Sequence, residues 1–348
     1  MTSRSAVADV LADTASMRRS VGRRLWWLLA LAVGAIVVSA ASVAFGTRDV
    51  SLPEIVSAFT GGSGVGEAAV TTRIPRTVLG LLVGAALAMA GLTMQAVTRN
   101  PLADPGILGV SAGAALAVVA GIAFFGLTSA TGYMGFAIVG AAVAAVFVYT
   151  VGSLGRGGAT PLKLALAGAA TTAAFSSLSS AILLPRVDLL EVFRFWQIGG
   201  IGGAGWDRVQ ILLPVLAAGA LVCVLCSRGM NSLALGDDVA TGLGEHVGRT
   251  RVIASVGAVV LVGAATAVAG PIAFVGLVVP HVCRLLIGTD HRWLVPFSAL
   301  GGAILLVGAD VVGRLIARPT EVEVGILTAL IGAPFFIWIV RRQKVREL

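Results

Sequence analysis

Charge is scarce in this sequence. Of its 348 residues only 12% are Asp, Glu, Lys or Arg, where a soluble domain carries about 25%, so a water-soluble globular fold is excluded. Lysine is nearly absent. Lys163 and Lys344 are the two, preceded by Leu162 and Gln343; no G-x-x-x-x-G-K-[ST] loop exists, and ATP is not bound here through a P-loop. Three Cys rule out a disulfide framework. Cys223 and Cys226 form a C-x-x-C that lacks the second pair a zinc site needs. His246, His281 and His291 have no metalloprotease spacing, and no G-x-S-x-G elbow occurs. No catalytic residue and no metal site is assigned. Forty-five Gly without a G-X-Y period exclude collagen.

What is abundant is apolar sequence, 57% of the chain, gathered in runs of about 20 residues, the length of a membrane-crossing helix rather than a barrel strand. The sequence predicts an all-α membrane protein with ten spans, at 25–46, 74–98, 106–126, 132–152, 161–184, 207–227, 250–269, 272–288, 293–313 and 325–340. Residues 1–24 form a short tail, and 25–348 form a single transmembrane domain with no room for a soluble one. The first span follows basic residues and ends near Ser42-Val43-Ala44, as a signal peptide does, but its apolar stretch is too long for one and reads as a retained anchor. With the N-terminus inside, 17 of the 25 basic residues fall on the inner side and eight on the outer, which satisfies the positive-inside rule and puts both termini in the cytoplasm. The net charge of +8 follows from this topology without a nucleic-acid partner.

Asn100-Pro101 is followed at Gly106 by a new span, and Gly270-Pro271 at Gly276 by another, five spans later. Such an echo, entering from opposite faces, is the trace of an inverted repeat; chance in a Gly-rich chain gives the same pattern. Asp310 is the one strong embedded carboxylate. It stands four residues before Arg314 and reads as its ion-pair partner or as a proton relay.

Three features carry chemistry. Arg73, Arg76 and Arg314 lie at the outer ends of their spans, suited either to bidentate pairing with an acidic partner or to interfacial snorkelling. Between the sixth and seventh spans, Asp237 and Asp238 open a helix-compatible run after Gly236, with Ala240 within it and Gly242 or Gly244 to end it. Leu235, Val239 and Leu243 form an i, i+4, i+8 stripe there, fit for a soluble protein or for lipid headgroups. In the fifth span Thr172, Ser176 and Ser180 make one polar stripe, compatible with an aqueous pathway or with small-residue packing.

At RIPRTVLGLLVGAALAMAGLTMQAVTRNPLADPGILGVSAGAAL (73–116), NSLALGDDVATGLG (231–244), GPIAFVGLVVPHVCRLLIGTDHR (270–292) and GADVVGRLIARPTEVEVGILTALIGAPFFIWIVRR (308–342), the chain resembles the permease subunits of the iron-siderophore and vitamin B12 ABC importers, the FecCD family. The likeness runs from about Arg73 to the C-terminus. It implies a type II ABC importer permease fold of ten spans and a multi-pass place in a bacterial inner membrane. A second permease, identical or paralogous, would share the pathway. ABC ATPase subunits would sit below and an extracytoplasmic substrate-binding protein above. It implies that Arg73, Arg76 and Arg314 dock the binding protein, that residues 232–247 seat in the ATPase, and that the Thr172–Ser180 stripe lines the pathway. ATP and Mg belong to the partner ATPase, so no cofactor is expected on this chain, which is not itself an enzyme. The implied cargo is a ferric siderophore, with cobalamin or haem as the alternative within the same machinery. An ion-coupled secondary carrier is the alternative of a different class. One departure stands out: where the family commonly reads Glu-Leu-Pro-x-Gly, this chain has Glu321-Val322-Glu323-Val324-Gly325.

Overall fold

A computed structural model of the chain describes residues 21–154 and 161–342. The tail up to residue 20 and the inner-side cations Arg4, Arg18, Arg19, Arg156, Lys344 and Arg346 lie outside the described residues. Within them the chain is all helical. In order come α1 (Val21–Ala44), α2 (Leu52–Phe59), α3 (Val65–Thr98), a 3-10 turn (Pro105–Leu108), α4 (Val110–Phe125), α5 (Ala130–Ser153), α6 (Pro161–Leu183), α7 (Val187–Ile198), α8 (Trp206–Leu225), α9 (Ser227–Leu233), α10 (Asp237–Gly242), α11 (Val247–Ala269), α12 (Val275–Ile287), α13 (His291–Ile316) and α14 (Val324–Arg342).

Seven helices are long and apolar enough to cross a membrane: α1, α3, α5, α6, α8, α11 and α13. The other three predicted spans appear as the shorter apolar helices α4, α12 and α14. Two of these shortfalls have a visible cause. Pro105 opens the 3-10 turn and Gly109 breaks it from α4 in a left-handed conformation. On the other side, Gly270 and Pro271 precede a non-helical stretch that ends at Phe274, and α12 then runs for 13 residues, about 20 Å at 1.5 Å per residue. Irregular backbone at membrane depth is tolerated where protein lines it, and here it runs against the chain before α8: a Cβ on Gly270 would lie 2.1 Å from the Trp196 carbonyl oxygen, and one on Gly199 2.5 Å from that of Pro271. In the opposite direction, the second span is longer than the apolar run suggested, because α3 begins at Val65 and carries Pro75 inside it. The short helices α2 and α7 sit at the ends of spans and leave no hydropathy signal of their own.

The repeat suggested by the Pro-containing echo is present in the packing. α3 packs on α13 and α12, and α11 packs on α5 and α4, so each half lends a long central helix to the hairpin of the other. The breaks that precede α4 and α12 come together inside the bundle: a Cβ on Gly276 would stand 3.5 Å from Asp104 Oδ2 and 3.1 Å from Gly91 Cα. α3, α11 and α13 are the core, while α1 leaves most of its surface to the outside.

What brings these helices together is glycine. Lipid tails are as apolar as leucine, so packing depends on close backbone approach at small residues. A Cβ on Gly84 would lie 2.3 Å from the carbonyl oxygen of Gly302, and one on Gly302 would lie 2.2 Å from that of Gly84. The α4–α5 hairpin repeats the device at Gly113 and Gly140, where the added carbon would fall 2.5 and 2.3 Å from the opposing carbonyl. Backbone cannot yield as a flexible side chain does. Gly84→Leu is therefore expected to destabilise the fold by at least about 3 kcal/mol, the upper range for overpacking. Gly308→Ala, with nothing within 4 Å of the new carbon, is the control and should leave stability unchanged or slightly raised. Thermal unfolding of the two variants in nanodiscs, followed by intrinsic fluorescence, checks both; equal melting would show that the α3–α13 contact does not limit the fold.

Candidate functional site

The polar side chains singled out in the sequence gather at the two ends of the bundle. At one end the C-terminus of α1, the first turns of α3 and the last turn of α13 bring Arg73, Arg76 and Arg314 into one cluster. Arg73 is buried, and its fork is used inside the chain: Nη1 donates to the carbonyls of Val43 and Ala44 at 3.1 and 2.9 Å, and Nη2 to that of Arg48 at 2.6 Å. These are carbonyls at and beyond the end of α1, which no following turn can satisfy. Arg314 does the same for the carbonyls on either side of that pair. Its Nη1 donates to the carbonyls of Ser42 and Phe45, both at 3.0 Å, and its Nη2 to the Ser42 hydroxyl at 2.7 Å. Ser42 in turn meets the Thr77 hydroxyl at 2.7 Å.

Asp310 is the centre of charge. It is 2% exposed and pairs with Arg314 at 2.9 Å, the i, i+4 partner expected from the sequence. It also pairs across helices with Arg76, whose Nη2 stands at 2.7 Å and whose Nε is 3.2 Å from both carboxylate oxygens. Arg76 reaches a second carboxylate, Glu321, at 2.8 Å through Nη1. Its side chain keeps 13% of its surface exposed, against 3% for Arg314. Of the three arginines, Arg76 is thus the one with an edge toward solvent, while Arg73 and Arg314 secure α1. The sequence placed the arginines together. It could not announce Ser42, Thr77 or the α1 carbonyls as their partners, because nothing local links residues so far apart in the chain.

Glu323, where the family commonly has proline, lies at this same end. Its Oε2 is buried without a hydrogen-bond partner and abuts Gly200, where an added Cβ would come within 1.9 Å of it. Burial, reinforced by Glu321, raises its pKa above the ordinary 4.5, with Arg76 pulling the other way.

At the opposite end α9 and α10 form a compact ledge. Asn231 ties α9 to the start of α13. Its Nδ2 donates to Asp290 at 2.7 Å, and its Oδ1 accepts from the His291 backbone at 2.8 Å. Burial alone would raise the Asp290 carboxyl, but hydrogen bonds from Arg292 and Asn231 outweigh it and hold the pKa at about 2. Gly236 has φ +107, a conformation that favours glycine, and turns the chain into α10. Asp237 opens α10 and pairs with Arg251 at 2.8 Å and Arg99 at 3.5 Å. Ala240 is buried against the bundle, and Asp238 points outward. Leu235, Val239 and Leu243 are 60%, 52% and 66% exposed, so the predicted stripe stands free of the rest of the chain. α10 ends at Gly242, and Gly244, with φ +84, turns the chain toward α11.

The hydroxyl stripe lies between these ends on α6. Thr172 is half-buried, and Ser176 and Ser180 are exposed. Ser180 donates to the Ser176 carbonyl at 2.9 Å, whereas the neighbouring Thr171 and Ser179 are buried. α6 packs on α4, α5 and α7, which leaves the Ser176–Ser180 side uncovered by this chain. Among the described residues no group of three His, Cys, Asp or Glu is placed to hold a metal ion.

Removing one partner of a buried ion pair leaves an uncompensated charge, so Asp310→Asn, which leaves Arg314 with no carboxylate and Arg76 with Glu321 alone, is expected to destabilise by about 3–5 kcal/mol. Glu321→Gln, at a more exposed pair, should change stability by less than about 1 kcal/mol; thermal unfolding ranks the two, and equal effects would contradict this assignment. Glu323 has a pH signature. Below pH 4.5 both folded and unfolded chains hold its proton; as pH rises past that value the unfolded chain ionises first, so stability falls until the raised folded pKa is passed. Glu323→Gln should flatten this part of the pH–stability curve, measured between about pH 4 and 7.

The FecCD transport family matches residues 33–342. The probable siderophore transport system permease protein YfiZ of Bacillus subtilis (strain 168) is 43% identical over 321 residues, covering 91% of this chain and 96% of its own. The ferric enterobactin transport system permease protein FepD of Escherichia coli (strain K12) is 44% identical over 311 residues, 88% of this chain and 92% of its own. A solved structure described as an inward-facing conformation of a metal-chelate type ABC transporter superposes with a TM-score of 0.79 at 28% identity, over 92% of this chain and 99% of its own. An all-helical, multi-pass membrane fold with a reciprocal repeat, an arginine–carboxylate cluster at one end and an uncovered helical ledge at the other therefore has its place: the chain belongs to the FecCD transport family.

Proposed function

We propose that this chain is the permease subunit of an ABC importer that carries a ferric siderophore across a bacterial inner membrane, with both termini in the cytoplasm. Two permeases, identical or paralogous, enclose the pathway. A separate ATPase subunit binds ATP and Mg and does the hydrolysis, and an extracytoplasmic binding protein delivers the cargo. The observation that carries this reading is the free stripe of Leu235, Val239 and Leu243, held outward on a ledge whose polar side is pinned to α3, α11 and α13. An apolar i, i+4, i+8 ladder suits a groove in a partner protein.

Each step of transport then has a place in the chain. The binding protein approaches the arginine end. There a carboxylate on either lobe engages Arg76 by displacing Glu321, the more exposed of its two partners, while Arg73 and Arg314 hold the platform beneath. The cargo enters between the two permeases along the Thr172, Ser176 and Ser180 side of α6. Its iron stays in the chelator, so the pathway needs no metal ligands of its own. ATP binding draws the ATPase subunits together, and the segment from 232 to 247 moves with them. This is alternating access powered from outside the chain.

Uptake into proteoliposomes that contain the permease, its ATPase and its binding protein is the decisive measurement. ATP-dependent uptake of a labelled ferric siderophore is expected, with neither cobalamin nor haem taken up. Uptake of either of those instead would overturn the cargo, and uptake that follows an ion gradient without ATP would overturn the machine. Two changes dissect it. Arg76→Glu should weaken binding-protein docking by at least about tenfold and leave the ATPase attached. Deletion of Asp237 to Gly244 should uncouple hydrolysis from transport; coupled uptake in that deletion would refute the role of the ledge.

A further inference from the structure

The ledge and the hydroxyl stripe belong to separate parts of the fold. α10 packs on α9 and α11, whereas α6 packs on α4, α5, α7 and the 3-10 turn. Movement of the ledge needs a mechanical link to reach α6, and the side chain that offers one is Arg99. It is the residue that ends α3, and it sits in a left-handed conformation with φ +53. Among the described residues only Phe274 shares this feature without being glycine. Such a conformation is strained for a long side chain and persists where the surroundings impose it.

Arg99 reaches back to the ledge. Its Nη1 is 3.5 Å from Asp237 Oδ1, the same oxygen that accepts from Arg251 Nη2 at 2.8 Å. A Cβ on Gly236 would stand 3.7 Å from Arg99 Nη2, so the guanidinium lies over the turn into α10. One carboxylate oxygen thus joins the end of α3 to the start of α11, the two helices that the inverted repeat exchanges.

Forward of Arg99 the chain is braced. The Asn100 side chain accepts from the Leu102 backbone at 3.0 Å, and the Ala103 backbone donates to the Asn100 carbonyl at 3.0 Å. Asp104 Oδ1 accepts from the Gly106 backbone at 2.7 Å. Two consecutive side-chain-capped turns leave little slack between Arg99 and the 3-10 turn. At the far end Gly109 lies against α6, where an added Cβ would be 3.5 Å from Thr171 and 3.6 Å from the Thr172 hydroxyl. The 99–109 segment is therefore a short strut from the ledge to the first hydroxyl of the stripe.

We propose that the Asp237–Arg99 ion pair is the contact through which the ledge drives this strut against α6, making Arg99 a positioning residue for transport. The inference rests on the importer reading above. Both side chains are nearly half exposed, and an exposed pair of this kind adds little to stability, so its loss is separable from loss of the fold.

The test uses the complete importer in proteoliposomes, with ATP hydrolysis and ferric siderophore uptake measured in the same vesicles. Arg99→Gln is expected to lower the cargo moved per ATP by about tenfold, within the usual range of coupling between sites. Arg99→Lys, which keeps the charge, should recover at least about half of the wild-type yield by maintaining the pair with Asp237. The double variant of Arg99→Gln with Asp237→Asn should be no worse than Asp237→Asn alone, because residues acting through one contact are not additive. A fluorophore at Leu102→Cys, in a background with Cys223, Cys226 and Cys283 replaced by Ala, should lose its response to ATP in Arg99→Gln. One at Arg228→Cys, exposed on α9 of the ledge and outside the docking stripe, should keep it. An unchanged yield per ATP in Arg99→Gln, additive losses, or a retained response at position 102 overturns the strut while leaving the importer intact. Absence of ATP-dependent uptake in the unsubstituted protein overturns both.

Discussion

The contact on which this architecture depends is the meeting of two glycines, Gly84 on α3 and Gly302 on α13, each with its α-carbon against the other's carbonyl. In lipid there is little gain from burying one apolar surface against another, and helices associate where their backbones fit closely. That fit fixes the register of α3 on α13. Once it is set, Arg76 stands beside Asp310 toward one end. Toward the other, the end of α3 and the start of α13 offer Arg99, Asp290 and His291 to the α9–α10 ledge. One rigid pair of helices therefore carries the anchor points of both ends of the molecule.

The arginine cluster shows why charge is retained in a chain that has so little of it. A buried ion pair gives uncertain net stability, since desolvation offsets attraction, and its firmest use is to specify one arrangement among several. Here Asp310 joins α3 to α13, Arg73 and Arg314 close the open end of α1, and Glu321 ties in the loop before α14. Arg76 and Arg314 share Asp310, Arg76 also holds Glu321, and Arg73 spends its donors on carbonyls, while Glu323 Oε2 has no donor. An added carboxylate from outside is thus unwelcome unless one of these leaves, and Glu321 is the most solvated. Carboxylate exchange, rather than simple addition, is the chemistry this cluster permits.

Much of this was legible in the sequence, and the reasons for the rest are physical. Apolar runs located seven helices long enough to span and the three shorter apolar helices, because hydrocarbon demands helical backbone. The i, i+4, i+8 spacing of Leu235, Val239 and Leu243 gave a helix with one apolar face, and the glycines around it marked its ends. Asp310 and Arg314, four apart, announced their own pairing. What stayed hidden was long in range. Arg73 and Arg314 read either as docking forks or as snorkelling side chains; that they donate to carbonyls at and just beyond the end of α1 is encoded by no pattern near either residue. The interruption of the third and eighth spans was foreshadowed by Pro and Gly, but not that Gly276 would lie on Gly91. The hydroxyl stripe was visible as a stripe; that its neighbours Thr171 and Ser179 face inward, while Ser176 and Ser180 face out, is a matter of packing.

An inverted repeat gives each half of the chain a long helix embedded in the other half, so the halves are poorly placed to slide apart as separate bodies. Motion has to use the breaks in regular structure instead. Two such breaks exist, the 99–109 segment and the stretch from Gly270 to Phe274. They contain the two left-handed non-glycine residues of the described chain, Arg99 and Phe274. The second break lies against the backbones of Trp196 and Gly199, near the arginine end. The first lies at the ledge and ends on α6. The two breaks therefore differ in what they are joined to, one to the ledge and the other to the loops beneath the arginine cluster. A single chain with this asymmetry has a distinct element at each end on which an opening or closing signal can act.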